Sequence, residues 1–387
     1  MRNFENTISE ELSELKKRNL YRKLAVLSSG CHKNIKIKEK LYLNFCSNNY
    51  LSLNGHTEIE KSIISALKKW GTSSGASRLI AGDLQIFEIA EKKLAQFKGT
   101  ETSLIFSSGY QANVAVISTL AGDGDVIFSD ELNHASIIDG CRLSKAKVCI
   151  YRHCDMNDLE KKLKKEKGKK RLIITDSIFS MDGDLAPIRD IVELAERYDC
   201  GLIIDDAHAT GVLGKEGRGS IEYFGLENKD VMVLATGGKA LGVMGAFFCC
   251  SKKVREYLIN KCRGFIYSTG PSPAVPAGLL ASISLVKKEN WRRDKLRKLS
   301  EYLWNGFRKL NYITSKTPSH ILPLIVRDNE KALKLADAFM KNGIFVRAIR
   351  PPTVPENTAR IRFSLMTDHE IEDIEKIIQT LEETKII

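Results

Sequence analysis

The sequence predicts an α/β protein with a mostly parallel central sheet, followed by a smaller α+β unit. Short apolar runs alternate with helix-period segments between residues 103 and 250, the pattern of strands covered by helices on both faces. Prolines are absent before Pro187 and cluster at Pro271, Pro273 and Pro276, after which a second pattern begins. The length of 387 residues also exceeds what one compact core usually organises. We expect an N-terminal arm over residues 1–50, a large domain over 51–288 and a small C-terminal domain over 289–387.

Ile8, Leu12 and Leu15 have helical spacing, so the first segment is an amphipathic arm that packs on something. Leu41–Phe45 alternates like a strand. Helices follow around Glu58–Trp70 and along Phe87, Ala90, Leu94 and Phe97. Strands are then expected at Ser103–Phe106, Val126–Phe128, Val148–Tyr151, Leu172–Thr175, Leu202–Ile204, Val231–Leu234 and Ala246–Cys250. Helices from Tyr110, near Ile137–Leu143, around Leu159 and Leu163, and after Pro187 separate them; proline suits a first helical turn. A long helix through Trp291, Leu296, Leu299 and Leu303 leads to the second unit. That unit reads strand (Ile321–Val326), helix (Glu330–Asn342), strand (Ile344–Ile349), strand (Arg360–Leu365) and helix (Asp368–Thr384).

Hydrophobic content of 43% and charged content of 28% are those of an ordinary globular protein. No apolar run is long enough to span a bilayer, and the charged Met1–Lys23 stretch does not read as a signal peptide. We expect a cytoplasmic protein, off the membrane. The nine cysteines form no C-x-x-C pair, so no metal site is expected from them and they read as reduced thiols. The formal charge of +12 is densest over residues 161–171. Leu159 and Leu163 there mark a short helix with a solvated lysine face. Interleaved aromatics and recognition motifs are missing nearby, so nucleic acid is not an expected partner.

In a parallel sheet the chemistry lies beyond the carboxyl ends of the strands. Val231–Leu234 is followed by Thr236-Gly237-Gly238-Lys239, a glycine turn presenting a lysine among apolar residues. Desolvation lowers an amine's pKa and makes it more nucleophilic, although a lysine that merely opens a helix would look the same. Ser107-Ser108-Gly109-Tyr110 at a helix start exposes amides that suit a phosphate, as many structural turns do. Asp205-Asp206-Ala207-His208 follows the Leu202–Ile204 strand. A buried Asp205 needs a cationic partner, such as a protonated ring nitrogen; a metal or a helix cap are the other readings. His134 is a ring that covers a flat ligand or a capping residue, and Ser180 a ligand hydroxyl or a turn former. Dinucleotide, P-loop and nucleophile-elbow motifs are not present: Gly238-Lys239 lacks the preceding P-loop glycine and a following Ser or Thr. Pyridoxal phosphate requires this set together: an imine-forming lysine, a carboxylate at the pyridine nitrogen, a flat cover and phosphate donors.

In combination, Asn44–Leu51, Phe179-Ser180-Met181-Asp182-Gly183-Asp184, Asp205-Asp206-Ala207-His208 and Tyr267-Ser268-Thr269 are specific. With them the chain resembles the α-oxoamine synthases, pyridoxal-phosphate enzymes of the aspartate-aminotransferase-like fold (fold type I), over nearly its whole length. The resemblance implies that Lys239 is the Schiff-base lysine, Asp205 the partner of the pyridine nitrogen and His134 the stacked ring. It places His208 and Ser180 near the cofactor's phenolic oxygen, and Gly109, Tyr110 and Thr236 at phosphate and cofactor contacts. Ser268 and Thr269 would reach the phosphate of a neighbouring subunit, implying a homodimer with shared active sites. Arg362 and Asn48 would hold an amino-acid carboxylate, and Arg22 and Thr353 would line the acyl site. Within the family, Ala348–Pro355 is most similar to members that condense L-alanine with a pimeloyl thioester, carried on acyl carrier protein (ACP) or coenzyme A (CoA). Ser73, Ala76, Gly237 and Met244 depart from the usual pattern, at positions that shape the pocket. The rival readings are a sister activity on glycine and acetyl-coenzyme A, and a non-catalytic basic binding protein.

Overall fold

The computed structural model of the protein describes residues 2–384. The chain forms two compact units. One comprises Asn49–Ser180 and Leu185–Asp294; the other comprises Met1–Asn48, Met181–Asp184 and Lys295–Ile387. Both expected boundaries therefore change. The segment expected as a separate arm over 1–50 belongs with the C-terminal residues, and the break falls at Asp294 rather than 288.

The chain begins with α1 (Arg2–Lys17), β1 (Asn34–Ile37) and β2 (Lys40–Asn44). The larger unit follows with α2 (Thr57–Trp70), a π-helical turn at Arg78–Gly82, α3 (Gln85–Lys98), β3 (Thr102–Phe106) and α4 (Gly109–Leu120). Next come β4 (Val126–Asp130), α5 (Ala135–Ser144), β5 (Lys147–Tyr151), α6 (Met156–Lys165), β6 (Arg171–Asp176) and α7 (Ile188–Arg197). The unit continues with β7 (Gly201–Asp205), α8 (Ser220–Phe224), β8 (Met232–Thr236), β9 (Ala246–Cys250), α9 (Lys252–Lys261), α10 (Arg263–Ile266) and α11 (Ala274–Lys288).

The seven strands β3–β9 form one sheet in the order β3-β9-β8-β7-β6-β4-β5. β9 runs antiparallel to both neighbours, and the remaining pairings are parallel. Every residue of β4 and β9 is buried, as covering both faces requires. Ile127, Ile174, Ile203, Leu234 and Phe248 pack into a single core with Ala112, Val116 and Ile117 of α4. On α6, Leu159 and Leu163 are wholly buried. Lys162 and Lys164 pair one turn back with Asp158 and Glu160, and the charges stay on the outer side.

The helix α12 (Trp291–Lys309) runs through the boundary at Asp294. The smaller unit then holds β10 (Ile321–Arg327), α13 (Asn329–Lys341), β11 (Ile344–Phe345), β12 (Ala348–Ile349), β13 (Ala359–Ser364) and α14 (Ile371–Thr384). The single strand expected over Ile344–Ile349 is two. β11 pairs in parallel with β2, and β12 pairs with β13 in a separate sheet. Ile344 faces Leu43 in register, which is why the N-terminal residues join this unit. The apolar stripe of α1 remains open, with Phe4 71% and Ile8 41% exposed.

His369 ties the two ends of this unit together. Its Nε2 donates to the Asn44 carbonyl at 3.0 Å, its Nδ1 accepts the Met366 amide at 3.1 Å, and its ring stacks on Phe45 at 4.2 Å. Burial pushes its pKa from 6.5 down to about 4, against the pull of Asp373. The fold thus prefers neutral imidazole. Its contribution is complete above about pH 6.5 and is lost as pH falls toward about 4, because the unfolded chain binds the extra proton. At about 1.4 kcal/mol per unit, this amounts to roughly 3 kcal/mol. Denaturant titrations should show the wild type losing stability across that window and His369→Gln lacking the loss. Parallel curves would mean that the folded ring takes up the proton freely.

Candidate active site

β6 and β7 end side by side, with Asp176 and Asp205 in register and both carboxyls buried. Asp205 Oδ2 accepts from Asn113 Nδ2 at 2.6 Å, and Oδ1 accepts from the Ala207 amide at 2.9 Å. Burial and the neighbouring Asp205 hold Asp176 well above the usual carboxylate range. Asp206 turns elsewhere. Its Oδ2 accepts from Lys98 Nζ at 2.7 Å, and the same amine donates to Thr210 Oγ1 at 2.9 Å and to the Arg218 carbonyl. Asp205 and Asp206 thus serve different partners.

Lys239 stands in the turn after β8. A Cβ on Gly237 would lie 2.6 Å from the Val243 carbonyl oxygen and 2.9 Å from Leu279 Cδ2, so the turn needs glycine there. Thr236 Oγ1 donates to the Gly245 carbonyl at 3.0 Å and accepts the Gly238 amide at 3.2 Å. This hydroxyl therefore pins the turn. Half-buried Lys239 places Nζ 2.7 Å from His208 Nε2. His208 Nδ1 is in turn 2.7 Å from the hydroxyl of fully buried Tyr50. Two proton arrangements satisfy this chain: an ammonium donates to Nε2 while Nδ1–H donates to Tyr50, or Tyr50 donates to Nδ1 while Nε2–H donates to a neutral amine. One proton reverses the polarity of the whole relay.

His134 caps α5, its Nδ1 accepting from the Ser136 amide at 3.2 Å and lying 2.7 Å from Ser136 Oγ. Its own amide donates to Asp176 Oδ2 at 2.7 Å. Burial lowers the imidazole pKa; Asp205 opposes the shift and Lys239 adds to it. His134, Asp205 and Lys239 are thus brought into one electrostatic neighbourhood. Gly109 and Tyr110 open α4, where Ser108 accepts the Gln111 amide and the first-turn amides stand at the positive end of the helix dipole. The Tyr110 ring meets His134 edge-on at 6.4 Å, and its hydroxyl donates to Asp139. Half-buried Ser180 follows β6. Gln111 Nε2 donates to Ser268 Oγ at 3.4 Å, and Thr269 bridges Ser77 through the backbone.

Within the other unit, Arg362 donates to Asn48 Oδ1 at 3.0 Å. Arg22 donates to Thr353 Oγ1 and to the Pro351 carbonyl, each at 3.2 Å. Both sequence-expected pairs are therefore assembled. Sequence reasoning passed over Tyr50, Asn113, Ser136 and Asp176. The signal available for Asn113 was one amide on an otherwise apolar helix face. Asp130, His153 and Cys154 also converge, each offering one ligand atom within 4.8 Å of the others. The Cys154 sulfur is 3.6 Å from Nε2 and 3.8 Å from Nδ1 of His153. Lying nearly equidistant from both nitrogens, it is off either lone-pair axis, as a thiol packed against a ring would be.

The chain belongs to the aminotransferase class I and II family, which it matches over residues 40–381. An 8-amino-7-oxononanoate synthase of Lysinibacillus sphaericus is 42% identical over 372 residues, covering 96% of both chains. Serine palmitoyltransferase of S. paucimobilis, solved with a PLP–myriocin aldimine, superposes with a TM-score of 0.92 at 27% identity, over 99% of this chain and 97% of that one. The 8-amino-7-oxononanoate synthase of Francisella tularensis superposes with a TM-score of 0.78 at 29% identity, over 88% of this chain and 97% of that one.

The Lys98–Asp206 pair lies directly behind the Asp205–His208 turn, with side chains 1% and 0% exposed. Lys98→Met should strand the Asp206 carboxylate and cost roughly 3–5 kcal/mol, measured by urea denaturation. A loss below about 1 kcal/mol would show that this pair is not what holds the turn.

Proposed function

We propose that the chain condenses L-alanine with a pimeloyl thioester, releasing carbon dioxide and the carrier thiol, to give 8-amino-7-oxononanoate. One observation carries this reading: Lys239, His208, Asp205 and His134 are gathered at and beyond the carboxyl ends of β8, β7 and β4. They belong to a chain whose full-length relatives include 8-amino-7-oxononanoate synthases.

Pyridoxal phosphate is the cofactor of this fold, and the residues present fit it. A buried carboxylate ends β7, a helix N-terminus is available for a phosphate, and an amine stands 2.7 Å from His208 Nε2. When bound, the cofactor supplies a carbonyl for an amine and an electron-withdrawing ring that stabilises negative charge on a neighbouring carbon. Asp205, its Oδ1 anchored on the Ala207 amide and its Oδ2 on Asn113, would hold the positive ring nitrogen. His134 would cover the ring. Because burial keeps its imidazole neutral, it adds no positive charge beside a cationic ring. The amides of Gly109 and Tyr110 would meet the phosphate, and Ser180 would offer a hydroxyl.

Lys239 would be the amine that bonds the cofactor's carbonyl, and when its Nζ is free it is the base placed to take the α-proton of bound alanine. His208 orients Nζ and holds or returns that proton through the Tyr50 relay. Arg362, fixed by Asn48, takes the alanine carboxylate with a planar donor pair. Arg22 and Thr353 line the acyl end. Two copies share sites, Ser268 and Thr269 of one reaching the phosphate held by the other. Exposed Thr269, Tyr267 and the open face of α1 are consistent with a covering partner. Either carrier, ACP or CoA, fits a chain of net charge +12.

A panel of L-alanine or glycine with pimeloyl- and acetyl-thioesters tests the substrate pair. Turnover should be fastest with alanine and the pimeloyl thioester; turnover confined to glycine and acetyl-coenzyme A would overturn the choice. Arg362→Ala should raise the KM for alanine by at least about tenfold, the scale of a lost charge-assisted hydrogen bond, with a smaller effect on the thioester KM. An unchanged alanine KM would remove Arg362 from the carboxylate site.

A further inference from the structure

We propose that Asn113 is a positioning residue that locks Asp205 and, through Ser136, one tautomer of His134 into a single hydrogen-bonded unit. This inference rests on the functional reading above and deepens it. Asn113 lies four residues after Gly109 on α4, one turn along the same helix face. One helix therefore carries both the phosphate turn and the residue that holds the ring-nitrogen partner.

The side-chain amide has two N–H donors, and both are committed. One meets Asp205 Oδ2 at 2.6 Å and the other meets Ser136 Oγ at 2.9 Å. Flipping the amide would set its oxygen against a carboxylate, so the network fixes its orientation. Ser136 Oγ accepts from Asn113 and sends its own proton to His134 Nδ1, 2.7 Å away. The Ser136 amide points to the same nitrogen at 3.2 Å. With two donors aimed at it, Nδ1 carries no proton, and the ring hydrogen sits on Nε2.

The other groups facing His134 act in different directions. Asp205 favours charging the ring, Lys239 and burial oppose it, and Asp176 accepts the backbone amide. The Tyr110 ring touches its edge. A second observation separates this role from packing. Asn113 Oδ1 is buried with no partner among the described residues. Filling space alone would favour an apolar side chain here, since an unmet buried carbonyl is unfavourable. The amide is retained for its two donors.

The test uses 13C,15N-histidine-labelled protein without cofactor, with tautomer and titration read by NMR in wild type, Asn113→Ala and Ser136→Ala. Wild-type His134 should show the Nε2–H form. Both variants should mix tautomers and move the ring's titration toward neutral pH by about one unit. On loading with pyridoxal phosphate, Asn113→Ala should bind at least about tenfold more weakly and shift the pH dependence of the visible band. Ser136→Ala, which leaves Asp205 untouched, should move the histidine and spare most of the affinity.

Wild-type histidine behaviour and spectra in both variants, with only thermal stability lowered, would overturn the proposal. Should Asn113→Ala fail to fold, an unchanged His134 tautomer in Ser136→Ala would overturn it alone. A wild type that takes up no pyridoxal phosphate would instead overturn the functional reading, and this inference with it.

Discussion

A carboxylate buried at the end of a parallel strand must be compensated, and the site is built around doing this for Asp205. Taking such a group out of water is unfavourable by several kcal/mol unless donors or a cation replace the solvent. Asn113 and the Ala207 amide supply two donors, and in the function proposed above a cofactor's ring nitrogen would supply the positive charge. The adjacent Asp176 would double the cost if it ionised as well. Burial and Asp205 together push its pKa well above the usual carboxylate range, which works against two like charges on neighbouring strands.

The same constraint separates the two adjacent aspartates of the Asp205-Asp206-Ala207-His208 run. Asp206 looks away to the buried amine of Lys98, which fixes the backbone from behind. His208, two residues on, is then held between Tyr50 and Lys239 at 2.7 Å on each side. An amine, an imidazole and a phenol in series can pass a proton without any heavy atom moving far. Rigidity behind the site and proton mobility within it come from the same short segment of chain.

Much of this was legible in the sequence because local patterning and tertiary demand coincide. Apart from the edge strand β5, where Ile150 is 61% exposed, the apolar runs from Ser103 to Cys250 are buried on both faces, so composition alone marked them as strands. Lys239, Asp205, His134 and the Gly109 turn could be singled out because they lie at or shortly after the ends of those runs. Features resting on distant pairing were not legible. Ile344–Ile349 reads as one alternating strand, and only its partners, β2 on one side and β13 on the other, divide it. The N-terminal segment reads as an arm because its pairing partner lies some three hundred positions along the chain. Asn113, Tyr50 and Asp176 escaped for a related reason. Asn113 is a lone amide on an apolar helix face, while Tyr50 and Asp176 sit in short polar stretches, and the meaning of each lies in a partner that the chain brings in from elsewhere.

The central claim is that Lys239 is the residue that bonds the cofactor. Reducing the pyridoxal-phosphate-loaded protein with borohydride and mapping its peptides by mass spectrometry tests it directly. The phosphopyridoxyl adduct should appear on the peptide carrying Lys239 and disappear when alanine is present in excess before reduction. An adduct spread over surface lysines, or fixed on another residue with Lys239 unmodified, would contradict the account.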